Sequence, residues 1–90
     1  MVGLKVSRTF ADIIRYLLEK VKRDEQPVAT VIELATALGK TPETIIKTLA
    51  LYSDLGLVVK NRRRKLYVLN DIPRAEQLLK SIEEVEGEEG

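Results

Sequence analysis

Residues 30–70 read TVIELATALGKTPETIIKTLALYSDLGLVVKNRRRKLYVLN, and the punctuation of this stretch decides the fold. Thr30-Val31-Ile32-Glu33 has the S/T-x-x-E form, in which a hydroxyl and a carboxylate satisfy the free N–H groups that open a helix. Gly39 closes that helix after Leu38, because glycine enters the left-handed region without steric cost. Thr41 is a second N-cap, and Pro42 takes the first helical position, where a missing N–H costs nothing. This second helix is expected to run until Gly56 stops it. Two β-rich runs follow, Leu57 to Asn61 and Lys65 to Asn70, joined across Arg62, Arg63 and Arg64. The spacing therefore predicts two short helices around a tight turn, then a hairpin with a cationic tip.

Upstream, Phe10, Ile13, Ile14, Leu17, Leu18 and Val21 recur at three- and four-residue intervals, the signature of an amphipathic helix. Thr9 with Asp12 marks its start, and Pro27 forbids its continuation past the polar run Lys22 to Gln26. Residues 1–8 read as a short extended arm, and Val28 to Thr30 as a very short strand. In the helix opened by Thr30, Ile32, Leu34, Ala35 and Leu38 are the expected buried stripe. In the next, Ile45, Leu49, Tyr52 and Leu55 face the core, while Ile46, Lys47, Ala50 and Leu51 lie on the other side. Asp71 and Pro73 restart a helix over 73–85, with Leu78, Leu79, Ile82 and Val85 as its stripe. Residues 9–85 thus form a single domain of α+β class, mostly α, followed by an acidic, frayed tail over 86–90.

Composition bounds what such a domain can do. Apolar residues make up 44% of the 90, enough for one compact core. Cysteine and histidine are both absent, which removes thiol and imidazole catalysis, disulfides and zinc fingers together. No enzyme, no cofactor and no metal site is expected. No apolar run reaches membrane-spanning length, so a cytoplasmic protein with no membrane partner is expected. Abundant Lys, Arg, Glu and aliphatic residues lean toward a thermophile. The net charge of +1 hides an asymmetry: five glutamates fall in the last ten residues, leaving residues 1–80 with 15 positive and 9 negative charges.

The order helix, short strand, helix, helix, strand, basic turn, strand resembles the winged-helix (winged helix-turn-helix) family of DNA-binding domains over residues 9–70. Its most specific piece is Ile45-x3-Leu49-x2-Tyr52-x3-Gly56-Leu57-Val58, similar to the pattern that leads from recognition helix into wing in small archaeal and bacterial transcriptional regulators. Tyr52 stands where that pattern usually has leucine, and Tyr67-x-Leu69 resembles the second wing strand. The resemblance implies a three-helix core, a two-stranded wing and an added C-terminal helix. It also implies double-stranded DNA as partner, transcriptional regulation as the role, and a homodimer built on terminal helices.

On that reading Lys60, Arg62, Arg63, Arg64 and Lys65 contact phosphates or the minor groove, each phosphate contact releasing a condensed counterion. Lys40, Thr41, Glu43, Thr44, Ile46 and Lys47 face the major groove. The set contains no Arg, Asn or Gln for bidentate reading of bases, and Glu43 repels phosphate. The broad stripes of the first and last helices make Phe10, Ile14, Leu18, Leu78, Leu79 and Ile82 the expected dimer interface. The alternative is a winged-helix protein-interaction module within a larger complex, presenting Ile46, Ala50 and Leu51 to a protein. Gly39-Lys40-Thr41 looks like part of a phosphate-binding loop, but Leu34 stands where the first glycine belongs and a helix precedes it, so the triplet is read as a turn.

Overall fold

The computed structural model describes residues 6–61 and 66–89, with side chains described as far as Ile82. Helix α1 spans Arg8–Lys22, strand β1 Val28–Ala29, helix α2 Val31–Leu38, helix α3 Pro42–Leu51, strand β2 Val58–Asn61, strand β3 Leu66–Leu69 and helix α4 Ile72–Glu89. The protein is mostly helical with a small antiparallel sheet in the order β1-β3-β2. No helix among the described residues is long and apolar enough to cross a membrane.

Local chemistry explains the boundaries. α1 begins one residue before the expected Thr9, because the Ser7 hydroxyl accepts the Phe10 N–H at 3.2 Å and is the true cap. Arg8, expected in the arm, is therefore helical. α1 ends before Pro27 is reached: the Glu25 N–H bonds to the Lys20 carbonyl and the Asp24 N–H to that of Val21, with Asp24 at φ 63°. That pattern closes a helix through a left-handed residue, here an aspartate in the usual glycine position. The Thr30 hydroxyl accepts the Glu33 N–H at 3.0 Å, and Gly39 ends α2 at φ 67°. Thr41 caps α3 in the same way, with Pro42 at its first position.

α3 is shorter than expected. It ends at Leu51, and a single 3-10 turn, Ser53–Leu55, carries the chain to Gly56 at φ 69°. The Leu55 and Gly56 N–H groups bond three residues back, to Tyr52 and Ser53. Ser53 and Asp54 are poor interior helix residues, and the tighter turn satisfies the Tyr52 and Ser53 carbonyls just beyond the end of α3. α4 is longer than expected, its backbone continuing to Glu89 through a stretch rich in glutamate, a good helix former, despite Gly87.

The core is built around α1, which touches α2, α3, α4 and β3. Phe10, Ile13, Ile14, Leu17, Leu34 and Ile45 are its largest fully buried side chains. On α2 the buried stripe is Leu34 and Ala35, flanked by the partly buried Val31 and Leu38. Those positions follow the i, i+3, i+4, i+7 rule, which puts Ile32 on the far side, 65% exposed, where a core role had been expected. β3 occupies the middle of the sheet, pairing Val28 with Val68 on one edge and Val59 with Val68 on the other. Asn70 closes the hairpin base, its N–H bonding the Leu57 carbonyl at 2.7 Å. The Asp71 carboxylate then accepts the Arg74 N–H and starts α4.

Candidate nucleic-acid interface

α3 is held from behind and left open in front. Ile45 and Leu49 are buried beneath it, and Tyr52 ties its end to the start of α1. The Tyr52 ring lies 4.5 Å from that of Phe10, and its hydroxyl accepts the Ser7 N–H at 2.8 Å. The opposite face, carrying Glu43, Ile46, Lys47 and Ala50, is exposed. That face adjoins the hairpin: Ile46 and Ala50 form one wall of an open groove of about 420 Å³, with Val59, Lys60 and Tyr67 on the other. Lys60 Nζ sits 6.0 Å from the centroid of the Tyr67 ring, across a paired position of the sheet.

Asn61 pairs with Leu66, and the sequence between these paired ends is Arg62-Arg63-Arg64-Lys65. Those four expected DNA contacts lie outside the described residues. Of the remaining expected contacts, Lys40, Thr41, Glu43, Ile46, Lys47 and Lys60 are exposed and Thr44 is half-buried. The two threonines are occupied. Thr41 Oγ1 accepts the Thr44 N–H at 3.2 Å and lies 2.9 Å from Thr44 Oγ1, so both hydroxyls serve the helix cap. Glu43 sits in the first turn of α3, where a carboxylate is favoured by the helix dipole.

Charge is distributed unevenly over the surface. Ion pairs among the described residues engage Arg15, Lys20, Lys22, Arg23 and Arg74. None of them engages Lys40 in the turn before α3, Lys47 on α3 or Lys60 in the hairpin. Among the described residues the ion pairs concentrate on α1 and the start of α4, and Lys80 of α4, like the lysines of the α3–hairpin face, takes part in none.

Behind that face a polar clasp sets the position of α2 on α1. The Tyr16 hydroxyl donates to Glu33 Oε2 at 2.7 Å, and Lys20 Nζ lies 2.5 Å from the same oxygen. Lys20 also donates to the Val28 carbonyl at 2.7 Å, tying in β1. Partial burial pushes the Glu33 carboxyl up, but hydrogen bonds from Lys20 and Tyr16, the Lys20 charge and the Thr30 backbone together hold it below its ordinary value. Tyr16 moves the other way, raised first by its hydrogen bond to Glu33 and then by burial. Tyr16 and Lys20 stand one turn apart on α1, but no spacing rule points to Glu33 of α2 as their shared partner.

The six side chains expected at a dimer interface are placed differently. Phe10, Ile14, Leu18 and Leu79 are buried within the single chain, and Leu78 and Ile82 pack against its core. The two stripes read as surplus face each other, because α4 lies across α1. Sequence reading also passed over Val59, 39% exposed beside the buried Val58. The alternation of a strand was the available signal, since two adjacent valines in a half-covered strand cannot both point inward.

Comparison of the chain with protein-family profiles, with curated proteins and with solved structures finds no match in any of the three.

Proposed function

We propose that this chain is a winged-helix protein that binds double-stranded DNA, with α3 in the major groove and the β2–β3 hairpin as a wing on the phosphate backbone. Transcriptional regulation is the role that suits such a protein. The reading is carried by the face shared between α3 and the hairpin, where Lys40, Lys47 and Lys60 lack carboxylate partners among the described residues. Unneutralised cations flanking a helix and a hairpin suit a polyanion that offers a groove to one and a backbone to the other. The sequence Arg62-Arg63-Arg64-Lys65 between the paired strand ends adds four further positive charges. No pairing of chains is part of this reading, because the apolar stripes that suggested it are used inside one chain.

The test is a titration of random-sequence duplex DNA at two salt concentrations. If the chain neutralises about four phosphates, the log–log salt slope is roughly −3.6, at −0.9 per contact. Replacing Arg62, Arg63 and Arg64 with alanine weakens binding to every sequence and flattens the slope. An unchanged slope in the triple variant removes the wing from the interface.

One observation favours a second reading. Ile46, Leu51 and Val59 are 49%, 71% and 39% exposed, an apolar surface suited to a protein partner. A chain that shifts no duplex at low salt promotes that interaction module over the DNA binder.

A further inference from the structure

We infer that α3 favours thymine-rich duplex, reading it through methyl groups with Ile46 and Ala50 as the contacting side chains. The inference rests on the duplex-binding reading above. It starts from what the exposed face of α3 has to offer. The Thr41 and Thr44 hydroxyls bond to each other and to the helix cap, leaving the pair one O–H for an outside acceptor. Glu43 is an acceptor only, and Lys47 is a mobile point charge better suited to phosphate than to a base edge. What remains facing outward at the middle of the helix is apolar: Ile46, and Ala50 one turn further on.

In the major groove each base pair presents its own pattern, and only thymine presents a methyl group. An α3 with an isoleucine and an alanine one turn apart, and no bidentate donor, discriminates by covering methyls. Charge complementarity names the same occupant. Lys60 lines the apolar groove beside Ile46 and Ala50, and Lys47 follows Ile46 on the exposed face of α3; neither is paired with a carboxylate among the described residues. A polyanion whose groove carries apolar methyls satisfies both the cations and the apolar wall.

The experiment measures affinity by fluorescence anisotropy for three duplexes of equal length and phosphate count. One is rich in A·T pairs, the second is the same duplex with deoxyuridine for every thymidine, and the third is G·C-rich. The thymine duplex is expected to bind tightest, and loss of methyls to weaken binding roughly fourfold for each methyl contacted. Ile46→Ala, at a half-exposed position, lowers affinity for the thymine duplex more than for the uracil duplex, so that the ratio between the two falls toward one. Its circular dichroism melting curve checks that the fold is intact. Replacing cytosine by 5-methylcytosine in the G·C duplex restores methyls without A·T pairs, and tighter binding there supports the methyl reading. Equal affinity for thymine and uracil duplexes overturns this inference and leaves the duplex reading standing. Failure to bind any of the three overturns the duplex reading, and this inference with it.

Discussion

Single residues fix the turns on which the α3–hairpin face depends. Gly39 and Gly56 have φ of 67° and 69°, and a Cβ built on either meets nothing within 4 Å. The requirement is purely conformational, so Gly39→Ala and Gly56→Ala each cost about 1 kcal/mol from backbone strain, without a packing clash. Urea denaturation measures this, and a neutral result at both positions contradicts the assigned helix ends. Asp24 adopts the same region without being a glycine. Asp24→Gly relieves that strain, about 1–2 kcal/mol, at a smaller cost in chain entropy of about 0.5–1 kcal/mol, so a net gain of roughly 0.5 kcal/mol is expected in the same assay. At this scale the sequence was highly legible, since Thr30, Gly39, Thr41 and Pro42 act on backbone groups within a few residues of themselves. It was less so where two residues competed for one role. Ser7 and Thr9 are both competent caps, and only the 3.2 Å bond from Phe10 to Ser7 decides between them.

Elements are joined by contacts that no local rule supplies. Three residues in the clasp, Tyr16, Lys20 and Glu33, are ordinary surface types in sequence, and 17 positions separate Tyr16 from its partner Glu33. Antiparallel pairing of β1 with β3 is equally non-local, linking Val28 to Val68. The hairpin was legible because its strands are neighbours in the chain; the third strand's place was not. The clasp makes stability depend on pH in a defined direction. A carboxyl held below its ordinary value contributes stability that is present above the unfolded-state pKa and lost as pH falls through the folded-state value. Wild type is therefore more stable than Glu33→Gln at neutral pH, and the gap closes in acid as pH falls through the folded-state value of Glu33. Urea midpoints at neutral and acid pH check it, and a gap independent of pH contradicts the charged clasp. The raised Tyr16 phenol sets the alkaline side, its contribution disappearing as pH rises through the folded-state value. Thr30→Ala removes the hydroxyl end of the capping box and costs about 1 kcal/mol more or less independently of pH.

Over the whole molecule, a scaffold whose described ion pairs lie on α1 and the start of α4 carries an α3–hairpin face whose described lysines have no carboxylate partner among the described residues. α4 belongs to the scaffold: Ala75 and Leu79 are buried, with Ile72, Leu78 and Ile82 packed alongside. Its apolar stripe was plain from the sequence, but the surface it covers was not, because periodicity gives a face and not a partner. Leu79→Ala leaves a cavity against α1 and is expected to cost 2–5 kcal/mol, a range typical of buried leucine. It leaves the affinity of the folded fraction for DNA unchanged, which calorimetry combined with a binding titration can separate. α3 and the β2–β3 hairpin are proposed to form together the face that meets duplex DNA. Amide chemical shifts of isotope-labelled protein, followed as an A·T-rich duplex is added, test it residue by residue. The largest changes are expected along α3 from Thr44 to Ala50 and in the hairpin around Lys60 and Tyr67, with α1 and α4 nearly silent. Changes concentrated on α1 and α4, or none at saturating duplex, would contradict it.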